Sequence, residues 1–115
     1  MEIQLFAGST SLGRVDSKII DDSMGVVGGL LEPSSAYYES FRAFFRSHTE
    51  KADWEKLAQL ELKATLDTGQ VLYCDGGICV VDVEGFYEVP VEFCGLGQHV
   101  MDMFRKQEGM ELPML

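Results

Sequence analysis

Between Leu60 and Phe93 apolar residues keep returning at every second position, and glycine-bearing turns break the pattern at short intervals. A period of two with closely spaced turns commits this stretch to antiparallel strands. Leu60, Leu62, Ala64 and Leu66 alternate with Glu61, Lys63, Thr65 and Asp67, as a half-buried strand requires. Asp67-Thr68-Gly69 turns the chain into residues 70–74, Asp75-Gly76-Gly77 turns it into 78–83, and Gly85 precedes 86–93. The two middle segments are apolar on both faces. In the last, Tyr87, Val89, Val91 and Phe93 face inward against Glu88, Pro90 and Glu92. Because proline cannot donate to a ladder, this segment is expected at a sheet edge.

The flanking sequence supplies the other layer. Residues 1–35 alternate short apolar runs (Ile3 to Phe6, Lys18 to Ile20, Val26 to Leu31) with glycines, which predicts two or three further strands. After Pro33 the period lengthens: Tyr37, Phe41, Phe44, Phe45 and His48 form one helical stripe, with Ser34 or Ser35 as its cap. A second helix is expected from about 50 to 59, burying Trp54, Leu57 and Ala58. A third is expected from about 97 to 107, burying Val100, Met101 and Phe104 and ending at Gly109. The predicted fold class is α+β, one domain over 1–115: an antiparallel meander of about four strands in 60–93, extended by N-terminal strands, packed against two or three helices.

Charge narrows the function classes. Nineteen acids against nine bases leave a net charge of −10, a field that repels phosphate backbones and anionic bilayers, so neither nucleic acid nor membrane is an expected partner. No window approaches the ~20 apolar residues of a membrane span. Glu2 stands where an export leader would carry lysines, and three cysteines are an odd number without a disulfide-framework spacing; both features suit a cytoplasmic location.

Three groups of residues resemble chemical motifs. Gly8-Ser-Thr-Ser-Leu-Gly13-Arg14 has the glycine spacing of a phosphate-cradling loop, but Arg14 replaces the lysine and Val15 the metal-binding hydroxyl, which leaves a glycine-rich loop between strands. Cys74, Cys79, Cys94 and His99 offer four zinc-compatible ligands, and a hairpin would set Cys74 and Cys79 on one face. The apolar residues around them, Leu72, Val81 and Val83, favour buried free thiols instead. His48 and His99 belong to no nucleophile motif, so no catalytic residue and no cofactor is assigned. If a helix–sheet pocket binds a small molecule or supports catalysis, His48, His99 and Cys94 are its polar candidates.

The placement of charge carries the functional expectation. Residues 36–63 hold five acids and five bases, whereas residues 64–104 hold seven acids and no lysine or arginine. Asp82, Glu84, Glu88 and Glu92 share one parity and would line the solvent face of an extended segment, with Asp75 in the preceding turn. Guarding of an exposed strand edge explains Pro90 and some of these acids. It does not explain the absence of lysine, since a guard works with either sign whereas a docking surface needs one. The expected function is therefore binding without catalysis: Asp75, Asp82, Glu84, Glu88 and Glu92 dock onto a basic protein partner, most concretely as an inhibitor. In size and acidity the chain resembles bacterial immunity proteins. A third reading is a homodimer through the aromatics of the first helix, Tyr37, Tyr38, Phe41, Phe44 and Phe45.

Overall fold

The computed structural model describes residues 1–109. Eight strands and three helices form an α+β fold: β1 (Glu2–Ala7), β2 (Thr10–Asp16), β3 (Lys18–Asp21), β4 (Val26–Pro33), α1 (Arg42–Glu50), α2 (Trp54–Gln59), β5 (Leu62–Leu66), β6 (Val71–Leu72), β7 (Gly77–Val80), β8 (Pro90–Cys94) and α3 (Gln98–Gln107). The sheet is antiparallel and curled, in the order β6-β5-β1-β2-β4-β8-β7, and β3 continues β2 along β4. The α+β class is as expected, but the strands of 60–93 do not pair as a meander. β5 and β6 form one hairpin at one end of the sheet, β7 and β8 pair at the other, and the N-terminal strands lie between them.

This arrangement moves β8 away from any edge. It pairs with β4 on one side and β7 on the other. Pro90 is the first residue of β8, opposite Leu30. Val81 donates to the Pro90 carbonyl at 3.0 Å, and proline has no N–H to return, so β7 stops at Val80.

The N-terminal third is richer in strand than its sequence suggests. Leu12 and Val15 are both fully buried although three residues apart, because the β1–β2 register shifts between Leu5 and Phe6. Gly13 lies at this irregularity with φ +134, and a Cβ there would stand 2.0 Å from the Glu32 carbonyl oxygen. The bulge hides a strand behind serines, a threonine and a glycine that read as a loop.

Helix α1 is entered through a π-helical turn, Tyr37–Phe41, in which the Arg42 N–H reaches back to the Tyr37 carbonyl. Ser34 accepts the Tyr37 N–H at 3.2 Å, as its capping role requires. Tyr37 and Phe45 are buried and their rings stack at 5.9 Å, while Phe41 and Phe44 are only partly buried. Helix α2 is shorter than expected: it starts at Trp54, with Asp53 accepting the Lys56 N–H, and instead of a buried face it has Trp54 70% exposed, Ala58 exposed and Leu57 half-buried. Helix α3 forms where expected, with Met101 and Phe104 buried and Val100 only partly so. The buried side chains of sheet and helices make one continuous cluster. Among the described residues no helix is long and apolar enough to cross a membrane.

Truncating Phe45 to alanine removes a wholly buried ring and should cost ~3–5 kcal/mol. Phe41→Ala should cost clearly less. Urea unfolding of both variants checks the order; equal losses would place Phe41 in the core.

Candidate docking surface

Residues 81–89 connect β7 to β8, and both ends of this connection are anchored. At one end Asp82 is 0% exposed. Its carboxylate accepts from the Tyr37 hydroxyl at 2.6 Å and Arg46 Nε at 3.1 Å, with Arg42 Nε 3.3 Å away. The Asp82 N–H donates to Thr49 Oγ1, whose own hydroxyl donates to the Phe45 carbonyl. Burial, with the Asp82 carboxylate beside it, pushes the Tyr37 phenol far above its ordinary range and keeps it a donor. At the other end Val89 is buried and its carbonyl accepts the Leu31 N–H at 2.9 Å. Asp82 is therefore no member of a solvent-facing row. It closes a buried clasp to α1, because residues 81–89 leave strand geometry and turn this side chain inward.

Between the anchors the chain projects outward. Gly85 takes φ +89 in a turn closed by the Phe86 N–H on the Val83 carbonyl. Phe86 is 68% exposed and Tyr87 92%, so Tyr87 does not point inward as the strand parity predicts. Glu84 and Glu88 lie in the same loop, both exposed. From Glu88 the alternation expected from the sequence does hold: Glu88, Pro90 and Glu92 are exposed while Val89, Val91 and Phe93 are buried.

The loop stands beside a sheet face whose acids sequence reasoning did not assign to the site. Leu30 and Tyr38, 47% and 48% exposed, share a pocket with Tyr87, Glu88, Glu32 and Pro33. An adjoining shallow depression is lined by Glu2, Arg14, Asp16 and Glu32. Strand register brings these together, since Glu2 pairs with Asp16 and Arg14 with Glu32, and Arg14 ion-pairs with Glu32 at 2.6 Å. No local motif announces this face; it exists only once β1, β2 and β4 are aligned.

The acids of residues 64–104 divide into two groups. Asp67 accepts from Gln4 Nε2 at 3.4 Å, Asp82 is held by the clasp, and Asp102 pairs with Arg105, which also grips Asp22 at 2.7 Å. The side chains of Asp75, Glu84, Glu88 and Glu92 are exposed and, among the described residues, have no hydrogen bond or ion pair. They do not form one cluster. Asp75 packs next to Gly95, beyond the far end of β8 from Glu88, a separation of ~20 Å along the strand.

The other candidates are dispersed. Cys74 and Cys79 do not face each other across a hairpin: Cys74 precedes a turn closed by the Gly77 N–H, Cys79 lies opposite Glu92, and Cys94 lies opposite Gly77. Among the described residues no three His, Cys, Asp or Glu side chains are placed to hold a metal, so Cys74, Cys79, Cys94 and His99 are not assembled. Desolvation raises all three thiols, Cys74 to about 11, the opposite of what a nucleophile or zinc ligand needs. His48 lies in a groove of about 290 Å³ with Phe45, Trp54, Leu57 and Ile78, and this groove contains neither His99 nor Cys94. Its Nδ1 accepts the Asp53 N–H at 2.8 Å. Of the helix aromatics proposed for dimerisation, Tyr37 and Phe45 are core, and Tyr38 belongs to the pocket beside Tyr87.

No family model, curated protein or solved structure matches the chain.

Asp82→Ala leaves Arg46 and the buried Tyr37 phenol without their acceptor and Arg42 without its counter-ion, and should destabilise the fold by ~2–4 kcal/mol, the partial exposure of both arginines moderating the loss. A melting temperature within a degree of the parent would show that the clasp contributes nothing. Iodoacetamide at pH 7.5 should modify the exposed Cys79 first and Cys74 last, with rates rising steeply towards alkaline pH; rapid labelling of Cys74 at neutral pH would contradict its raised pKa.

Proposed function

We propose that the protein acts by binding, presenting the loop 83–88 and the outer face of β4 and β8 to a basic protein partner. One observation carries this reading: Glu88 and Glu92 are exposed and unpaired on a segment whose strand, β8, is paired on both sides. Guarding an open sheet edge is therefore no explanation for them. The neighbouring Phe86, Tyr87, Leu30 and Tyr38 add the other ingredient of a protein interface, an exposed aromatic centre inside a polar rim. Unpaired carboxylates of one sign around such a centre favour a cationic partner and speed its encounter.

The most concrete version is a cytoplasmic inhibitor or neutralising protein that covers the positive cleft of an enzyme acting on nucleic acid. In size and acidity this is the manner of bacterial immunity proteins, and the binding is non-catalytic with no cofactor involved.

Affinity capture from the source lysate at low and high salt identifies the partner, and purified components then test the surface. Glu88→Lys with Glu92→Lys should slow association at least ~10-fold at low ionic strength, and added salt should shrink the difference. Thermal stability should barely move, because exposed charges contribute little to folding. The control, Glu39→Lys with Glu55→Lys in the charge-balanced helical region, should slow association much less. Equal loss in both variants would show that net charge alone matters. A retained small molecule in place of a basic protein would shift the function to the groove beside His48 and Trp54.

A further inference from the structure

We propose that the pocket between Tyr38 and Tyr87 receives one arginine side chain of the basic partner, an inference that rests on the docking reading above. The pocket measures about 300 Å³ and is lined by Leu30, Pro33, Tyr38, Tyr87, Glu32 and Glu88. That volume is at the small end of ligand sites, ~300–1,000 Å³, and suits a single long side chain.

The lining selects the occupant. An apolar side chain would strip water from Glu32 and Glu88 and return nothing, and an anion would be repelled by both. A cation meets carboxylates and tyrosine ring faces together. Tyr38 already holds such a group within the chain: the Arg42 guanidinium carbon lies 5.0 Å from its ring centroid. Arg42 is drawn back towards Asp82, and Arg14 occupies Glu32, so Tyr87 and Glu88 are the cation-binding groups left without an internal partner among the described residues. Tyr87 offers nearly its whole ring. A planar guanidinium can lie flat against that ring and direct two N–H groups at the Glu88 carboxylate, while its methylenes pack on Leu30 and Pro33. An ammonium, a compact and strongly hydrated point charge, satisfies only the electrostatic part.

The probe is an acetylated, amidated pentapeptide, Gly-Gly-Arg-Gly-Gly, compared with versions carrying citrulline, which is neutral and nearly isosteric, or lysine. Titration is followed through the ring resonances of Tyr38 and Tyr87. The arginine peptide should shift both rings saturably, with the citrulline peptide at least ~5-fold weaker and the lysine peptide between them. Tyr87→Ala, at a position exposed enough to leave folding intact, should lower arginine affinity to the citrulline level. Equal binding of arginine and citrulline peptides, tighter binding of lysine, or arginine binding unaffected by Tyr87→Ala would overturn the assignment. The two readings fail separately: partner association slowed by the Glu88 and Glu92 reversals but unchanged by Tyr87→Ala would eliminate the arginine pocket and leave the docking face standing.

Discussion

A carboxylate removed from water is costly unless its charge and lone pairs are answered, and Asp82 sits wholly inside this protein. The answer comes from one helix. Tyr37, Arg42, Arg46 and Thr49 all reach Asp82, three through the carboxylate and one through the backbone N–H. In a regular α-helix Tyr37 and Arg42 would point ~140° apart, five residues being well past one turn. The π-helical turn between them widens the spiral, closes with the Arg42 N–H on the Tyr37 carbonyl, and brings both side chains to the same side. The irregular entry into α1 and the buried acid at the start of the β7–β8 connection thus form one unit, and this unit fixes where the helix lies on the sheet.

The clasp also decides which charges remain available at the surface. Two of the basic groups in the balanced stretch 36–63 are consumed by Asp82, so that helix does not offer them to solvent partners as free cations. Arg105 is likewise occupied by Asp22 and Asp102 and holds α3 against the end of β3. Asp22 has its carboxyl pKa lowered by the hydrogen bond to Arg105, so this contact helps folding above the ordinary carboxylate range and weakens as pH falls below it. Of the acids of residues 64–104, Glu84, Glu88 and Glu92 lie exposed along β8 and its preceding loop, without a side-chain partner among the described residues, and Asp75 stands apart from them. Asp82, the first acid of the apparent row, adds nothing to the charge at the surface.

Local pattern revealed the elements that obey one period throughout. The strand containing Ala64 and Leu66, the helix burying Met101 and Phe104, and the alternation from Glu88 to Phe93 were all legible because each buries a regular face. Strand β2 was not, since its bulge places Leu12 and Val15 three apart and Gly13 imitates a turn. Pairing order was hidden for a different reason. Two hairpins adjacent in sequence suggest a meander, but β6 has a hydrogen-bonded run of only two residues and pairs with β5 alone, while β1, β2 and β4 lie between the hairpins. Asp82 was misplaced by extending strand parity across residues that follow no strand. Of the site, Glu84, Glu88 and Glu92 were visible as free acids, whereas Asp75, equally free, lies apart from them; Glu2, Asp16, Glu32 and Leu30 became neighbours only through cross-strand register, and Tyr38 through the packing of the helix entry.

The two anchors have a consequence for how the loop can bind. A segment with Phe86 and Tyr87 in water would, if free, lose much of its conformational entropy on meeting a partner, and that loss would be subtracted from affinity. Here the chain is held at Asp82 by side chains from the π-helical turn and α1 and at Val89 by β4, with a single glycine turn between. Tyrosine and phenylalanine have only two side-chain torsions each, so ordering them is less costly than ordering lysine or glutamate of similar reach. The buried ion cluster does little for stability that an apolar packing could not match; on the docking function proposed above, its contribution is positional, since it holds an aromatic, acidic loop in one place and reduces the entropy lost on association.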